Sequence, residues 1–276
     1  LRSEVRLLRG DLLDTESLRA AVAGERPSEI YHLAAPSFIP ASWQKPAEVL
    51  ASVAGSAATI LEATRALDDR TRVYVAASGA IFGEAGVSPQ NEDTPCVPGT
   101  PYAVAKLAAH RLLGTMRDHF GLHASSGILF NHESERRPEQ FVTRRITRGV
   151  AAIALGRETQ LTLGALDAVR DWSFAGDVMY GAWLTLQQDE PGDYVLASGV
   201  GRTVAELART AFACAGLDAE EHLRVEQSLV RAPERTPSVG DPARARELLG
   251  WRPTLDFEQL IRRMVAADIE LLERSG

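Results

Sequence analysis

Arg72-Val73-Tyr74-Val75-Ala76-Ala77-Ser78, followed after a Gly- and Pro-rich loop by Pro101-Tyr102-Ala103-Val104-Ala105-Lys106, decides how this chain reads. Arg72–Ala76 is a short run of β-branched and aromatic residues, the composition of a buried strand. Pro101 opens a helix that runs to about Phe120, where Gly121 stops it. Ser125–Phe130 is the next strand. Strand, helix and strand in series make a parallel sheet with helices on its faces. Tyr102 and Lys106 lie four residues apart on that helix and therefore point the same way. Ser78 falls just past the end of the preceding strand. The three residues read as a proton-transfer machine. A phenol near pKa 10 is a poor base at neutral pH, an adjacent ammonium favours the phenolate, and a serine hydroxyl can share the same substrate oxygen. Such a trio takes the proton from a sugar hydroxyl while hydride leaves its carbon for a nicotinamide, or reduces a ketone in reverse.

The same rhythm extends outward. Val5–Leu8 reads as a strand, and Asp14 caps a helix through Ala23. Glu29–Ala34 is a strand, Ala47–Leu67 an Ala-rich helix. Downstream, helices are expected over Gln140–Leu155, Asp177–Gln188, Thr203–Ala215 and the amphipathic Phe257–Leu272, with strands at Gln160–Leu163 and Asp193–Ala197. The expected fold is α/β, a doubly wound parallel-sheet, Rossmann-like domain formed by residues 1–130 with about 166–200. Residues 131–165 with 201–276 break the rhythm, are rich in arginine, and read as a smaller substrate-binding cap. A dinucleotide-binding sheet opens with a strand and a Gly-rich turn into a helix. No GxGxxG or GxxGxxG precedes Val5, so the chain reads as entering at the third strand, N-terminally truncated by about sixty residues of such a domain.

With 276 residues, 45% hydrophobic and 24% charged, the chain is long enough to bury one large core or two smaller ones. A net charge of −7 argues against nucleic acid or an anionic membrane as a partner, so an anionic ligand must be held by local arginines. No apolar run reaches membrane-span length. Cys96 and Cys214 form no CxxC pair, which points to a reducing cytoplasm, and the six scattered histidines predict no metal site. Of the 30 cationic residues only Lys45 and Lys106 are lysines. A lysine kept against such a bias supplies what arginine cannot, a compact ammonium with a tunable pKa.

The order Gly10-Asp11-Leu12, Tyr31-His32-Leu33-Ala34-Ala35, Ser78 with Phe82-Gly83, then Tyr102 and Lys106 resembles the extended short-chain dehydrogenases. Phe130-Asn131-His132-Glu133-Ser134, Arg136-Arg137 and Phe141-Val142-Thr143-Arg144 look specifically like the GDP-mannose 4,6-dehydratase family. So do Arg170-Asp171-Trp172 with Asp177, Leu186-Gln187-Gln188 with Tyr194-Val195, and Gly240-Asp241-Pro242 with Leu249-Gly250-Trp251. The resemblance implies NADP, or NAD, as cofactor and a nucleotide-diphosphate sugar, GDP-mannose above all, as substrate. It also implies a homodimer or homotetramer. It assigns catalysis to Ser78, Tyr102 and Lys106. Asp11 and Leu12 would contact the adenine, and Leu33, Ala34, Ala35 and Ser37 the ribose and pyrophosphate. Tyr102, Lys106, His132 and Arg137 would also face the cofactor. Asn131, Arg145, Arg231 and Glu234 would hold the substrate's nucleotide. Read alone, Asp11 fits a turn residue, and Arg136, Arg137, Arg144 and Arg145 fit a solvated helix face.

The sequence departs from the family after the strand Arg72–Ala76. Dehydratases read Ser-Thr-Ser-Glu there, the Glu being the base that removes the sugar C5 proton. Here Ala77-Ser78-Gly79-Ala80 stands instead. Ser78 can replace the Thr, whereas the Ala80 methyl accepts no proton. Glu84, beyond the Phe-Gly turn, is expected to point elsewhere. The alternatives are a 4-ketoreductase or epimerase on a nucleotide sugar, which needs no such Glu, or a noncatalytic binding protein.

Overall fold

The structure, a computed structural model, describes residues 5–67, 71–226, 228 and 235–275, so Arg231 and Glu234 lie outside the described residues. In chain order the first elements are α1 (Thr15–Glu25), β1 (Glu29–His32), α2 (Pro46–Leu50), α3 (Ser56–Ala66), β2 (Arg72–Ala76), α4 (Pro101–Phe120) and β3 (Ala124–Leu129). There follow β4 (Asn131–Glu133), α5 (Val142–Ala154), β5 (Leu161–Leu163), β6 (Val169–Phe174), α6 (Ala175–Gln187), β7 (Asp193–Leu196), β8 (Gly201–Thr203) and α7 (Val204–Cys214). The last are α8 (Ala219–His222), β9 (Leu223–Val225), α9 (Ala243–Leu248) and α10 (Phe257–Arg274). The chain forms two compact units: Leu1–Gly83 with Pro95–Ile128 and Ala182–Tyr194, and Glu84–Thr94 with Leu129–Gly181 and Val195–Gly276.

A four-stranded sheet ordered β1-β2-β3-β7 runs through the first unit. β1, β2 and β3 are parallel, with His32 opposite Val75 and Ala76 opposite Gly127. Local chemistry sets the elements. Asp14 accepts from the Ser17 N–H at 3.2 Å to start α1. Thr100 accepts from the Ala103 N–H at 3.1 Å ahead of Pro101 to start α4, and Gly121, at φ +67°, ends it. The helix expected over Ala47–Leu67 is interrupted by a π-helical turn, Ala51–Gly55, between α2 and α3. Such single π turns are often found at functional sites. Leu61, Val73, Val75 and Leu113 form the core between sheet and helices.

Val5–Leu8 is not the strand expected of it. The segment is irregular, and Leu7 is 83% exposed. No described strand hydrogen-bonds to it. A strand without a neighbour leaves its backbone groups to water and gives its apolar side chains no sheet face to pack on.

The second unit holds a β4-β6-β8 sheet and the β5-β9 pair. Ile146 and Val150 of α5, Leu207 and Phe212 of α7, and Ile261 and Val265 of α10 meet in its core. The amphipathic stripe of α10 is as the sequence predicts, but the same face also buries Asp268, paired with Arg144 at 2.7 Å. β6 carries charges that hid it in the sequence. Its Asp171 is fully buried and accepts from the Ser198 N–H and Oγ–H at 2.8 and 2.7 Å and from the Gly199 N–H at 2.9 Å. Asp177 accepts from the N–H and Oγ1–H of Thr254, and its carbonyl accepts the Trp251 indole N–H at 2.7 Å. These two carboxylates tie loops together.

Candidate active site

In the first unit the candidate site lies at the C-terminal end of β2. There the Ala76 carbonyl accepts from Lys106 Nζ at 2.6 Å. Lys106 is buried, and burial pushes its ammonium down to about 8. Tyr102 sits one helical turn before it, in the first turn of α4, and Lys106 Nζ lies 5.9 Å from the centre of its ring. The positive end of the helix and the ammonium both favour a phenolate there. Val49 and Val53, on either side of the π turn's start, pack with Tyr102 and Ala105, and Ala35, Ile39 and Ala80 close the cluster. The ring is held by apolar contacts.

Ser78 is half-buried in extended backbone, and its Oγ accepts from the Ala80 N–H at 3.2 Å, capping the turn Gly79–Ile81. With the oxygen so engaged, the hydroxyl hydrogen remains to donate. Gly83 adopts φ +48°, and a Cβ there would stand 2.0 Å from the Val97 carbonyl oxygen. Only glycine fits where the chain leaves Phe82, and the Phe82 carbonyl takes the Val97 N–H at 3.3 Å.

His32, at the end of β1, was not singled out from the sequence. Its Nε2 lies 2.9 Å from Ser56 Oγ, whose own hydrogen goes to the Ser52 carbonyl at 2.6 Å. The ring must therefore donate through Nε2. Burial first, and the Lys106 ammonium second, depress its pKa to about 4, so the imidazole is neutral.

Leu33, Ala34 and Ser37 are exposed on the loop leaving β1, and Ala35 is half-buried against the Tyr102 cluster. Asp11 is exposed, and Oδ1 accepts from the Leu13 N–H at 2.9 Å, a turn-forming contact; Leu12 beside it is half-buried.

In the second unit, β4 carries Asn131 and His132, both half-buried. His132 donates through Nδ1–H to the Phe130 carbonyl at 2.9 Å. The arginines of the following loop and α5 have separate fates: Arg136 and Arg145 are solvated as their spacing suggests, while Arg137 and Arg144 are not. Arg136 is exposed. Arg144 is buried, its Nε on Asp268 and its Nη1 on the carbonyls of Glu135 and Arg137. Arg145 is exposed and donates to the Thr162 carbonyl at 2.9 Å, beside Arg148 and Glu139 in an open depression. Arg137 lies flat on the Phe141 ring at 3.5 Å with Nε 3.2 Å from the Glu133 carboxylate. Among the described residues its Nη groups make no hydrogen bond to protein.

A family model described as GDP-mannose 4,6 dehydratase matches residues 1–264. The chain belongs to the GDP-mannose 4,6-dehydratase family. It is 42% identical over 269 residues to GDP-mannose 4,6 dehydratase 1 of Arabidopsis thaliana, covering 96% of this chain and 74% of that protein. It is 41% identical over 282 residues to the GDP-mannose 4,6-dehydratase of Sinorhizobium fredii (strain HH103), covering 95% and 80%. Its fold superposes on the structure of RMD from Pseudomonas aeruginosa complexed with NADPH with a TM-score of 0.87 at 26% identity, covering 96% of this chain and 88% of that one.

Against this family, Ala80 is the notable departure, and the structure sets its methyl in the Tyr102 cluster. Glu84 is committed elsewhere, accepting from the backbone N–H groups of Arg235 and Thr236 at 3.3 and 2.9 Å. The GDP-mannose 4,6-dehydratase motif Asn131-His132-Glu133 contains a further residue that sequence reasoning passed over. Glu133, which that motif contains without assigning it a role, is 1% exposed.

Proposed function

We propose that this chain acts as a nucleotide-sugar 4,6-dehydratase on GDP-mannose with NADP, or NAD, as cofactor. The observation that carries this reading is the Ala76–Lys106–Tyr102 arrangement at the end of β2, in a chain of this family. Tyr102, as phenolate, takes the proton from the sugar 4-hydroxyl. Lys106 stabilises that phenolate, and the Ser78 hydroxyl donates to the same sugar oxygen as it becomes a carbonyl. NADP would supply the hydride acceptor at C4 and the donor at C6, and the loss of water between them would need a base for the C5 proton that Ala80 does not provide. The residues present fit that cofactor. The exposed side chains of Leu33, Ala34 and Ser37 leave the strand end open to the ribose and pyrophosphate, and Arg137 offers Nη groups, unpaired among the described residues, to a phosphate. His132, Tyr102 and Lys106 complete the cofactor set, and Asp11 and Leu12 its adenine end.

Asn131 and Arg145, with Arg231 and Glu234, would hold the sugar nucleotide. By the same resemblance the assembly is a homodimer or homotetramer, and the absence of a CxxC pair between Cys96 and Cys214 favours a reducing cytoplasm. No described helix is long and apolar enough to cross a membrane. The test is incubation with GDP-mannose and NADP, followed by NMR. A 4-keto-6-deoxy sugar nucleotide is the expected product. An unchanged 6-hydroxymethyl group, with 4-keto or epimerised sugar instead, supports the second reading. That reading, a 4-ketoreductase or epimerase, is favoured by one observation: Ala80 supplies no carboxylate, and Glu84 is spent on the backbone at 235–236.

A further inference from the structure

Glu133 sits at the end of β4 with its carboxylate sealed from water. Oε2 accepts from Thr143 Oγ1 at 2.7 Å, and Arg137 Nε stands 3.2 Å from the same oxygen. Two contacts thus converge on Arg137. The carboxylate faces the Nε edge of the guanidinium as an ion pair, without hydrogen-bond geometry, and the Phe141 ring, at 3.5 Å, covers its face. The opposite edge, carrying the Nη groups, makes no hydrogen bond to the protein among the described residues. Arg144, seven residues on, is the contrast: its Nε and Nη1 go to Asp268 and to two carbonyls. One arginine is consumed by the fold, and the other is braced with its outer fork open. A guanidinium with that fork open is built for a phosphate.

We propose that Glu133 is a positioning residue for Arg137, its ionised carboxylate presetting the guanidinium for a phosphate group of the dinucleotide cofactor. This rests on the proposed function for the identity of the ligand. An unbraced arginine loses its side-chain freedom only on binding, and that cost weakens affinity by about threefold to tenfold. The carboxylate also offsets part of the arginine's charge. It does so from the Nε side, across the whole guanidinium from the ligand, so the gain in order outweighs the loss in field.

The brace is sensitive to pH. Burial raises the Glu133 pKa to about 7, opposed by the Arg137 charge and the Thr143 hydrogen bond. Among the described residues Arg137 is the charge that acts on it, and Thr143 of α5 contributes a neutral hydroxyl. Below that pH the carboxyl is neutral and its hold on Arg137 weakens.

The experiment is a fluorescence titration of NADPH into the protein at pH 6 and pH 8, for wild type, E133Q, R137M and the double variant. Wild type is expected to bind about fivefold more weakly at pH 6. E133Q should bind weakly at both pH values, with kcat at saturating NADPH kept, and R137M should be no weaker when E133Q is added. Infrared difference spectra without cofactor give an independent reading. The protonated-carboxyl band of Glu133 should titrate near neutrality in wild type and at higher pH in R137M, which needs no Glu133 variant to fold. Equal or tighter NADPH binding by E133Q, additive losses in the double variant, or a carboxyl band unmoved by R137M would each overturn the proposal. Failure of wild type to bind NADPH at either pH would instead sink the cofactor assignment, and the infrared result would still report on the Glu133–Arg137 pair.

Discussion

Lys106 Nζ donates to the Ala76 carbonyl at 2.6 Å, which fixes the only buried lysine against the end of the strand that delivers Ser78. The strand's last carbonyl and the helix's second turn thereby meet, with Tyr102 one turn earlier on the helix. The ammonium carries a cost there, because burial moves it well below the ordinary lysine range to about 8.

Tyr102→Phe should reduce turnover by about 10²–10⁴-fold while sparing substrate affinity, because it removes the transferable proton and keeps the ring among Val49, Val53 and Ala80. Lys106→Arg should fail as well, since a guanidinium is too broad for the site at the Ala76 carbonyl. Steady-state kinetics with GDP-mannose and NADP check both, and wild-type turnover in either removes the pair from the mechanism.

Lys106→Met should abolish turnover and yet raise stability at pH 7. A base whose folded pKa is depressed has its full stability only above the unfolded value and loses it as pH falls through about 8. At pH 7 that cost is about 3 kcal/mol, and the orphaned Ala76 carbonyl gives back about 1–3 kcal/mol. A net gain of about 1 kcal/mol, shrinking between pH 8 and 10, is expected in urea denaturation. A variant less stable than wild type at pH 7 contradicts this.

Ala80→Glu restores a carboxylate to the position where the dehydratase family carries its C5 base. If the site lacks only that group, dehydration should rise by about 10²-fold or more. Deuterium wash-out at C5 gives a second reading. Wash-out in wild type means that another base reaches the proton and that Ala80 is no handicap. The variant must still bind GDP-mannose for a null result to count.

Asp268→Ala leaves Arg144 buried without its partner and should cost about 3–5 kcal/mol in chemical denaturation. Replacing both residues with apolar ones of similar volume, as Arg144→Met with Asp268→Leu, should recover most of that loss. A loss under about 1 kcal/mol in the single variant would mean that the ion pair does not anchor α5 to α10.

His32→Gln keeps a donor for Ser56 Oγ and removes the titrating ring. The wild-type imidazole has a folded pKa depressed to about 4, so its contribution is complete above the unfolded value near 6.5 and is lost as pH falls towards 4. That loss is about 3 kcal/mol by pH 4. The variant should be slightly less stable at pH 7 and more stable than wild type below about pH 5. Parallel stability curves for the two proteins across that range would remove His32 from the acid limb.

The elements that the sequence determined by itself are those whose causes are local. Asp14, Thr100, Pro101 and Gly121 cap or end their helices through contacts within a few residues, so α1 and α4 fall where the reading puts them. The period of four that sets Tyr102 over Lys106 is a property of any helix. The stripe of α10 follows from the same period. Tertiary structure decided what depends on partners distant in sequence. Val5–Leu8 has a strand's composition, but pairing is a relation with a neighbour, and no described strand provides one. β6 was hidden because Asp171 reads as a surface residue until the amides of Ser198 and Gly199 arrive to satisfy it. Arg137 and Arg144 belong to one motif and look alike in sequence. One meets Asp268, 124 positions along the chain, and is consumed. The other meets Glu133 and Phe141 close by and keeps its fork open. A charged side chain's role is set by whether its desolvation is met by protein or left to a ligand, and only the folded neighbourhood supplies that answer.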